Sequence, residues 1–280
     1  MRFFNRMAAR RSREVALEYG RLIAHPRHIC GYWWRGTRNF GDEISPLILE
    51  WASGSKVLKI ENLPMWKGPV YLAVGSILDG RDIRNAVIWG SGFKSVEGRM
   101  AKEPHRVLAV RGPLTRENLI HQGINCPEVY GDPGLLARRL FDPPLTGEFD
   151  YGIIPHYKEK GMVPSRLLEK GRVSLIDVQS TPANFVRDLC RCKRVLSSSL
   201  HGLITADVFG IPSAHFSQSD LVLGGRFKFR DYYGSVGRED LPPLDLNKIK
   251  DIEEASDSLV VADVRSATRE LLEASPFPAR

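Results

Sequence analysis

Short apolar runs that end in glycine or serine recur along the chain, with stretches of ten to twenty residues between them. The first three runs are PVYLAVGS at residues 69–76, NAVIWGSG at 85–92 and HRVLAVRG at 105–112. Such runs are typical of buried parallel strands, which are apolar because both faces of their sheet are covered. PLTRENLIHQG, at residues 113–123, is predicted to be a helix, since proline suits an early helical position and glycine suits the end.

A second series of the same kind follows DPPLTGEFD at residues 142–150, whose proline, glycine and acidic residues predict an interdomain linker. Strands are predicted at residues 150–157, 173–178, 193–199 and 211–217, and helices at 181–192, 201–210 and within 251–274. Two alternating series predict an α/β protein with two doubly wound domains, residues 30–145 and 146–280, that face a cleft. Ligands of such sheets bind outside the carboxyl ends of the strands.

The charge balance narrows the class of ligand. The 280 residues carry a formal net charge of +7, which suits an anionic ligand, an acidic membrane surface or nucleic acid. The chain has none of the usual nucleic-acid motifs and its cations cluster at predicted cleft loops, so no nucleic-acid partner is predicted. No apolar run approaches the ~18 residues of a transmembrane helix.

Residues 1–29 are rich in arginine and lack the apolar core of a signal peptide. Their arginines recur at helical spacing, which predicts a basic helix that either contacts anionic lipid or packs, solvated, on the protein. The four cysteines show no zinc-site spacing and are interpreted as reduced, buried thiols of a cytoplasmic protein.

NFGDEISP, residues 39–46, predicts a polar turn that leads into a helix beginning near Ile44 or Ser45. The N–H groups at the helix start, with Gly41 allowing close approach, would form a cradle for an anion or a sugar. The alternative is that Asp42 or Ser45 merely caps the helix. The candidate site residues are Asn39 and Gly41 for binding, and Asp42 and Glu43 as acceptors of hydroxyl protons.

Arg111 ends a predicted strand and is followed at once by Gly-Pro and a helix. An unpaired buried guanidinium would cost several kcal/mol, so we expect the side chain to project into the cleft and bind a carboxylate or phosphate. The alternative is an ion pair with a structural carboxylate such as Asp132. Asp132 itself, in VYGDPGLLA, is either a helix cap or an orienting carboxylate.

SSSLHGLITADVFGIP, residues 197–212, places a histidine between a strand and a helix. The N–H groups at the helix start and three hydroxyls would bind an oxyanion or phosphate. His201 is then placed to exchange a proton with the ligand. The serines do not form a nucleophile elbow, because G-x-S-x-G is absent. The hydroxyls are those of Ser197, Ser198 and Ser199.

LGGRFKFRDYYGSVGR, residues 223–238, alternates cations with phenylalanines. If the segment is extended, Arg226, Lys228 and Arg230 point the same way and would bind a di- or trianionic ligand. The alternative is an exposed basic edge strand.

The order of seven motifs along the chain resembles the polysaccharide pyruvyl transferase family, in particular members acting on succinoglycan-type exopolysaccharides. The motifs are NFGDEISP, AVGSIL, WGSGF, VRGPLTRE, YGDPGLL, the serine–histidine segment and GGRFKFRDYYGSVGR. The resemblance implies two Rossmann-like domains arranged as in GT-B glycosyltransferases. It also implies transfer of the pyruvate unit of phosphoenolpyruvate to two hydroxyls of one sugar as a cyclic ketal, with no catalytic metal or cofactor.

By the same resemblance, Arg111 and Lys228 would bind phosphoenolpyruvate and His201 would be the general acid. Many members carry arginine two positions before that histidine, where this chain has Ser199. Either the serine hydroxyls with Arg226 and Arg230 supply the missing charge, or donor binding is altered. A lipid-linked acceptor would bring the basic N-terminus to the inner face of the cytoplasmic membrane.

A GT-B glycosyltransferase that uses a nucleotide sugar is the alternative function. It shares the predicted architecture, and fold alone does not separate the two activities.

Overall fold

The computed structural model describes residues 28–34, 36–80, 82–169, 172–219 and 224–278. In these residues two parallel β-sheets are accompanied by helices, which confirms the predicted α/β class. The predicted basic helix at residues 1–29 lies outside the described residues, except for its last two positions, which begin the first strand.

The first sheet has the strand order β2-β1-β3-β4-β5. Its strands are β1 (His28–Tyr32), β2 (Lys56–Lys59), β3 (Val70–Leu72), β4 (Ala86–Trp89) and β5 (Arg106–Ala109). Helix α1 (Phe40–Ser53) follows β1 and helix α2 (Pro113–His121) follows β5. The predictions for β3, β4, β5 and α2 are confirmed, with shorter strands, whereas β1 and β2 were not predicted.

The second sheet has the order β7-β6-β8-β9, and all of its strands follow β5 in the sequence. Its strands are β6 (Phe149–Ile154), β7 (Val173–Leu175), β8 (Cys192–Ser197) and β9 (Ser213–His215). The remaining helices are α3 (Ser165–Glu169), α4 (Pro182–Cys190), α5 (Leu200–Phe209), α6 (Phe227–Val236) and α7 (Arg265–Glu273), with 3-10 turns at Ile60–Asn62, Pro133–Arg139 and Ile252–Ser258. The predicted strands and helices of this half are confirmed, apart from α6.

Both sheets place their first strand inside the sheet. The chain leaves β1 for β2 on one side and reaches β3 on the other, and β6, β7 and β8 repeat this pattern. Loops after the two strands that flank such a switch point run in opposite directions and leave a crevice at the carboxyl ends. The topology therefore predicts ligand-binding crevices beyond β1 and β3 and beyond β6 and β8.

An apolar core joins the two sheets. Phe40 of α1 stacks on Phe185 of α4, with ring centroids 4.2 Å apart. The Phe40 N–H donates to the Val178 carbonyl at 2.7 Å, and the Trp89 indole donates to the Leu271 carbonyl of α7 at 2.9 Å. Helix α7, at the end of the second half, thus packs on the first sheet.

The start of α1 differs from the prediction. The helix begins at Phe40, and Asn39 caps it by accepting a hydrogen bond from the Asp42 N–H at 3.1 Å. Asparagine is among the best N-cap residues, so the cap lies before Asp42 and Ser45 rather than at either of them. Pro46 consequently lies inside the helix instead of in its first turn.

Helix α6 replaces the extended segment that the alternation of cations and phenylalanines favoured. Arg226 directly precedes this helix and Arg230 lies one turn further along, and both pair with Asp240. Lys228 lies on another face and reaches the cleft described below. The three cations therefore do not share one side.

All four cysteines have reduced, buried thiols, as predicted. Burial raises the pKa of Cys190 and of Cys192 to about 12, so these thiols stay protonated and unreactive at neutral pH. Among the described residues, no helix combines the length and the apolar character needed to cross a bilayer.

Candidate active site

A cleft of about 250 Å³ lies at the two switch points. Tyr32 reaches it from the end of β1, Trp34 from the loop after β1, and Ser76 from the loop after β3. The second sheet contributes the loop that follows β6 and the segment that follows β8. The aspartates, lysines and histidines that line it are Asp42, Asp79, Lys94, His156, Lys158, His201 and Lys228.

His201 lies in the first turn of α5 and its side chain is 14% exposed. The ring packs against α1 at Gly41, where a Cβ atom would come within 2.0 Å of His201 Nδ1. Gly41 therefore makes room for the histidine ring of α5, and its role in ligand binding stays a prediction.

Asp132 is fully buried behind the same ring. Its Oδ1 accepts a hydrogen bond from the Gly134 N–H at 2.8 Å and so caps the turn Pro133–Arg139. Its Oδ2 lies 3.6 Å from His201 Nε2. The carboxylate thus caps a turn and also faces the histidine, the two roles that the sequence left open.

Asp42 lines the cleft and accepts a hydrogen bond from the Asn39 amide. Burial raises the pKa of Asp42, and the bond from Asn39 and the neighbouring His201 partly oppose that shift. Glu43 does not line the cleft, and its carboxylate lies 3.8 Å from the Arg38 guanidinium. Of the two predicted proton acceptors, only Asp42 reaches the site.

Three lysines line the cleft: Lys94, Lys158 and Lys228. The Lys94 ammonium lies 5.8 Å from the centre of the Trp34 ring. Burial, and after it the charge of Arg111, lowers the pKa of Lys228 to about 8. Clustered cations of this kind attract an anion, and desolvation strengthens the attraction.

His156 also lines the cleft, and its backbone N–H donates to Ser198 Oγ at 2.8 Å. Burial and the charges of Lys228 and Lys158 lower the pKa of His156 to about 4, so its ring is neutral at physiological pH. Sequence reasoning missed Lys94, His156 and Lys158, and their only signal was their position directly after apolar runs.

Arg111 is fully buried and does not line the cleft. Its Nε lies 2.9 Å from Asp231 Oδ2, its Nη1 donates to Ser76 Oγ at 2.7 Å, and its Nη2 donates to the Phe93 carbonyl at 2.6 Å. The expected projection into the cleft is therefore not observed, and the guanidinium makes a structural ion pair with Asp231 instead of Asp132. A direct contact of Arg111 with a ligand stays a prediction.

Asp231 anchors α6 to Arg111, just after β5, and to Thr115 of α2. Besides Arg111, it accepts hydrogen bonds from the Thr115 N–H at 2.8 Å and from Thr115 Oγ1 at 2.6 Å. Because Lys228 lies on the same helix, this contact fixes the lysine relative to the carboxyl end of β5.

The three serines divide between core and cleft. Ser197 and Ser198 are buried, the first donating to the Ser199 carbonyl at 2.8 Å and the second accepting from the loop after β6. Ser199 alone of the three lines the cleft. Arg226 and Arg230 pair with Asp240 and do not line the cleft, whereas Lys94 and Lys158 line it together with Ser199. A role of the two arginines in donor binding stays a prediction.

The sequence profile of the polysaccharide pyruvyl transferase family matches residues 36–220, well over half of the chain. The chain belongs to the polysaccharide pyruvyl transferase family. It is 30% identical over 229 residues to an uncharacterized protein of Acanthamoeba polyphaga mimivirus, and the match covers 78% of each chain. It is 24% identical over 218 residues to the succinoglycan biosynthesis protein ExoV of Rhizobium meliloti (strain 1021), covering 74% of this chain and 64% of that protein.

Membership in the polysaccharide pyruvyl transferase family implies a transferase that acts on a saccharide acceptor. The matched segment contains the cleft-lining residues named above except Tyr32 and Trp34, which precede it, and Lys228, which follows it.

Proposed function

We propose that this protein transfers the pyruvate unit of phosphoenolpyruvate to two hydroxyls of one sugar in an exopolysaccharide or its lipid-linked precursor. One observation carries the proposal: three lysines, two histidines and two aspartates from both halves of the chain line a single cleft. A donor with a phosphate and a carboxylate matches the cations, and a proton transfer matches the histidine and Asp42.

The lysines are suited to hold the donor. Phosphoenolpyruvate carries up to three negative charges, and Lys94, Lys158 and Lys228 line the cleft around the histidine. Fixed cations that neutralise phosphate charge stabilise its departure as inorganic phosphate, because no solvent has to reorganise during the reaction. Ser199 supplies a hydroxyl and the start of α5 supplies backbone N–H groups on the same wall.

His201 starts the chemistry as the general acid. Its imidazolium protonates the methylene carbon of phosphoenolpyruvate, which becomes a methyl group, and a cation-like centre forms at the adjacent carbon. The oxygen of one sugar hydroxyl bonds to that carbon. The bond between that carbon and the phosphate oxygen then breaks, and the electron pair leaves with phosphate.

The second hydroxyl bonds to the same carbon and closes the ketal. Two hydroxyl protons are released in total: one restores the imidazolium and the other leaves with phosphate. Asp42 is the proposed acceptor of a hydroxyl proton, since burial raises its pKa toward that of a usable base. Glu43 and the paired arginines of α6 have no part in these steps.

The acceptor would enter beside Tyr32 and Trp34, whose rings line the cleft on the side of the first sheet. Aromatic rings present apolar surface to the apolar face of a sugar. The same proposal includes a GT-B-like arrangement of two Rossmann-like domains and a cytoplasmic location, with the basic N-terminus at the inner face of the membrane.

The test measures inorganic phosphate released from phosphoenolpyruvate by the purified protein in the presence of saccharide acceptors. We expect phosphate release that depends on both substrates, with a methyl signal of the ketal appearing in the proton NMR spectrum of the product. Transfer of a sugar from a nucleotide sugar, with no use of phosphoenolpyruvate, would overturn the proposal in favour of a glycosyltransferase.

Variants assign the roles in the same assay. His201→Gln should lower kcat by about 10² to 10⁴-fold, because that is the usual contribution of a general acid. His121→Gln, at an exposed position on α2, is the matched control and should retain full activity. Equal activities of the two variants would remove His201 from the acid role.

A further inference from the structure

We infer that Asp132 is the positioning residue of His201: it binds the Nε2 proton of the ring and leaves Nδ1 as the nitrogen that exchanges a proton with the ligand. The catalytic consequence rests on the proposed function, whereas the pairing itself does not. The inference uses one oxygen of Asp132, since the other already caps the turn Pro133–Arg139.

Two buried polar atoms face each other in this pair. His201 Nε2 and Asp132 Oδ2 are both inaccessible, and neither has a hydrogen-bond partner among the residues that the structure describes. They lie 3.6 Å apart, which is slightly longer than a hydrogen bond. Because leaving either buried atom without a partner is costly, the arrangement favours a hydrogen bond from Nε2–H to Asp132 Oδ2, which forms when the two atoms move slightly closer.

The other ring nitrogen has different surroundings. Nδ1 lies against the backbone of α1 at Gly41, and the next residue of α1, Asp42, lines the cleft together with His201. A histidine whose second nitrogen is held by a carboxylate has one fixed tautomer and one fixed ring orientation. Asp132 would therefore set which nitrogen faces the ligand.

A buried carboxylate also stabilises the imidazolium form by its charge. The other ionisable groups around the ring act from α1, from the loops after β3, β4 and β6, and from α6, and those that line the cleft are Asp42, Asp79, Lys94, His156, Lys158 and Lys228. The positive charges of the lysines oppose a positive ring, and the carboxylate of Asp132 offsets their effect from the Nε2 side of the ring.

The first test reads the tautomer without any activity assay. NMR of protein with ¹⁵N-labelled histidine, with His201→Gln assigning the signal, should show neutral His201 protonated at Nε2. In Asp132→Asn the ring should titrate at least about one pH unit lower than in the wild type, the usual effect of losing an opposite charge at this distance. A neutral ring protonated at Nδ1, or an unchanged titration, would overturn the inference.

Asp132→Asn is the informative variant, because it keeps the Oδ1 acceptor that caps Gly134 and removes only the charge. Asp142→Asn is the matched control, since it removes the same charge at an exposed position just beyond the same turn. If Asp132→Asn does not fold, as judged by circular dichroism, Asp132→Ser also retains a capping oxygen and is used in its place.

The second test is the pH profile of phosphate release. In Asp132→Asn the decline of kcat at high pH should begin at least about one pH unit lower than in the wild type and the control, with activity partly regained at low pH. The KM for phosphoenolpyruvate should stay within about threefold, because Asp132 does not line the cleft. A uniform loss at every pH would show a merely structural role and contradict the inference.

The two proposals fail separately. A wild-type protein that does not use phosphoenolpyruvate would overturn the proposed function, while the NMR titration would still decide the pairing. A wild-type protein that is active, with an Asp132→Asn variant unaltered in both tests, would overturn the pairing alone.

Discussion

At the scale of single residues, Gly41 and His201 are in contact although their helices, α1 and α5, follow strands of different sheets. The ring occupies the space that a Cβ atom at Gly41 would fill. The sequence placed both residues near the starts of predicted helices, but it predicted that Gly41 would contact the ligand. A contact between residues 160 positions apart leaves no local pattern, so only the fold reveals it.

Gly41→Ala tests this contact. Alanine normally stabilises a helix by roughly 0.5–1 kcal/mol relative to glycine, so any loss must come from the clash with His201. We expect kcat to fall at least tenfold while the circular dichroism spectrum is unchanged. Gly161→Ala, where an added Cβ meets no atom within 4 Å, should be fully active. Full activity of Gly41→Ala would show that the ring does not sit against α1.

Because the pKa of Lys228 is lowered, we expect the affinity for the donor to depend on pH. Its pKa is lowered to about 8, so the ammonium is charged below that pH and loses its charge as the pH rises through it. The apparent affinity for phosphoenolpyruvate should therefore fall above about pH 8. In Lys228→Arg the side chain stays charged, so this fall should disappear. The same fall in both proteins, measured by calorimetric titration, would exclude Lys228 as its source.

At the scale of elements, α6 shows where tertiary contact overrides local pattern. The alternation of Arg226, Phe227, Lys228, Phe229 and Arg230 has the period of a strand, yet the segment is a helix. Asp231 holds this helix through Arg111 and Thr115, and these partners lie more than 100 positions away in the sequence. The strand prediction failed because the period of the side chains carried no information about that anchor.

Asp231→Ala should destabilise the protein strongly. It leaves the fully buried Arg111 without its carboxylate, and breaking one partner of a buried ion pair costs about 3–5 kcal/mol in the free energy of unfolding. Asp240→Ala, which removes a partly exposed carboxylate near the same helix, should cost no more than about 1 kcal/mol. Similar urea midpoints for the two variants would show that Asp231 is not the anchor of α6.

At the scale of the whole molecule, the crevices of two parallel sheets meet in one cleft. The order of the strands places the loops after β1, β3, β6 and β8 at the switch points, and residues from these loops line the cleft. An apolar core that contains Phe40 and Phe185 holds the sheets together. The cleft is therefore a consequence of topology and packing. Of its three lysines, Lys158 comes from one of these loops, whereas Lys94 follows β4 and Lys228 lies on α6.

This shared core predicts cooperative unfolding. Since side chains of both halves pack in one apolar cluster, we expect a single calorimetric transition. Phosphoenolpyruvate at about 100 times its Kd should stabilise the folded state by about 2.7 kcal/mol and raise Tm. Two separate transitions, with only one shifted by the donor, would contradict a site built from both halves.

Much of the strand and helix content was predictable, because apolar runs closed by glycine or serine mark buried parallel strands. His201 was predictable for the same reason, and Asp42 was predictable because it lies in a polar turn that leads into a helix. Lys94 and Lys158 were not, because a lysine in a loop looks the same whether it lies at the surface or in a cleft. The buried position of Arg111 was also hidden, as its partner Asp231 is distant in sequence.

A crystal structure of the protein with bound phosphoenolpyruvate tests the central claim most directly. We expect its phosphate and carboxylate among Lys94, Lys158 and Lys228, with the methylene carbon within about 4 Å of His201 Nδ1. Phosphoenolpyruvate bound away from this cleft, or with its methylene carbon turned away from the histidine, would contradict the account.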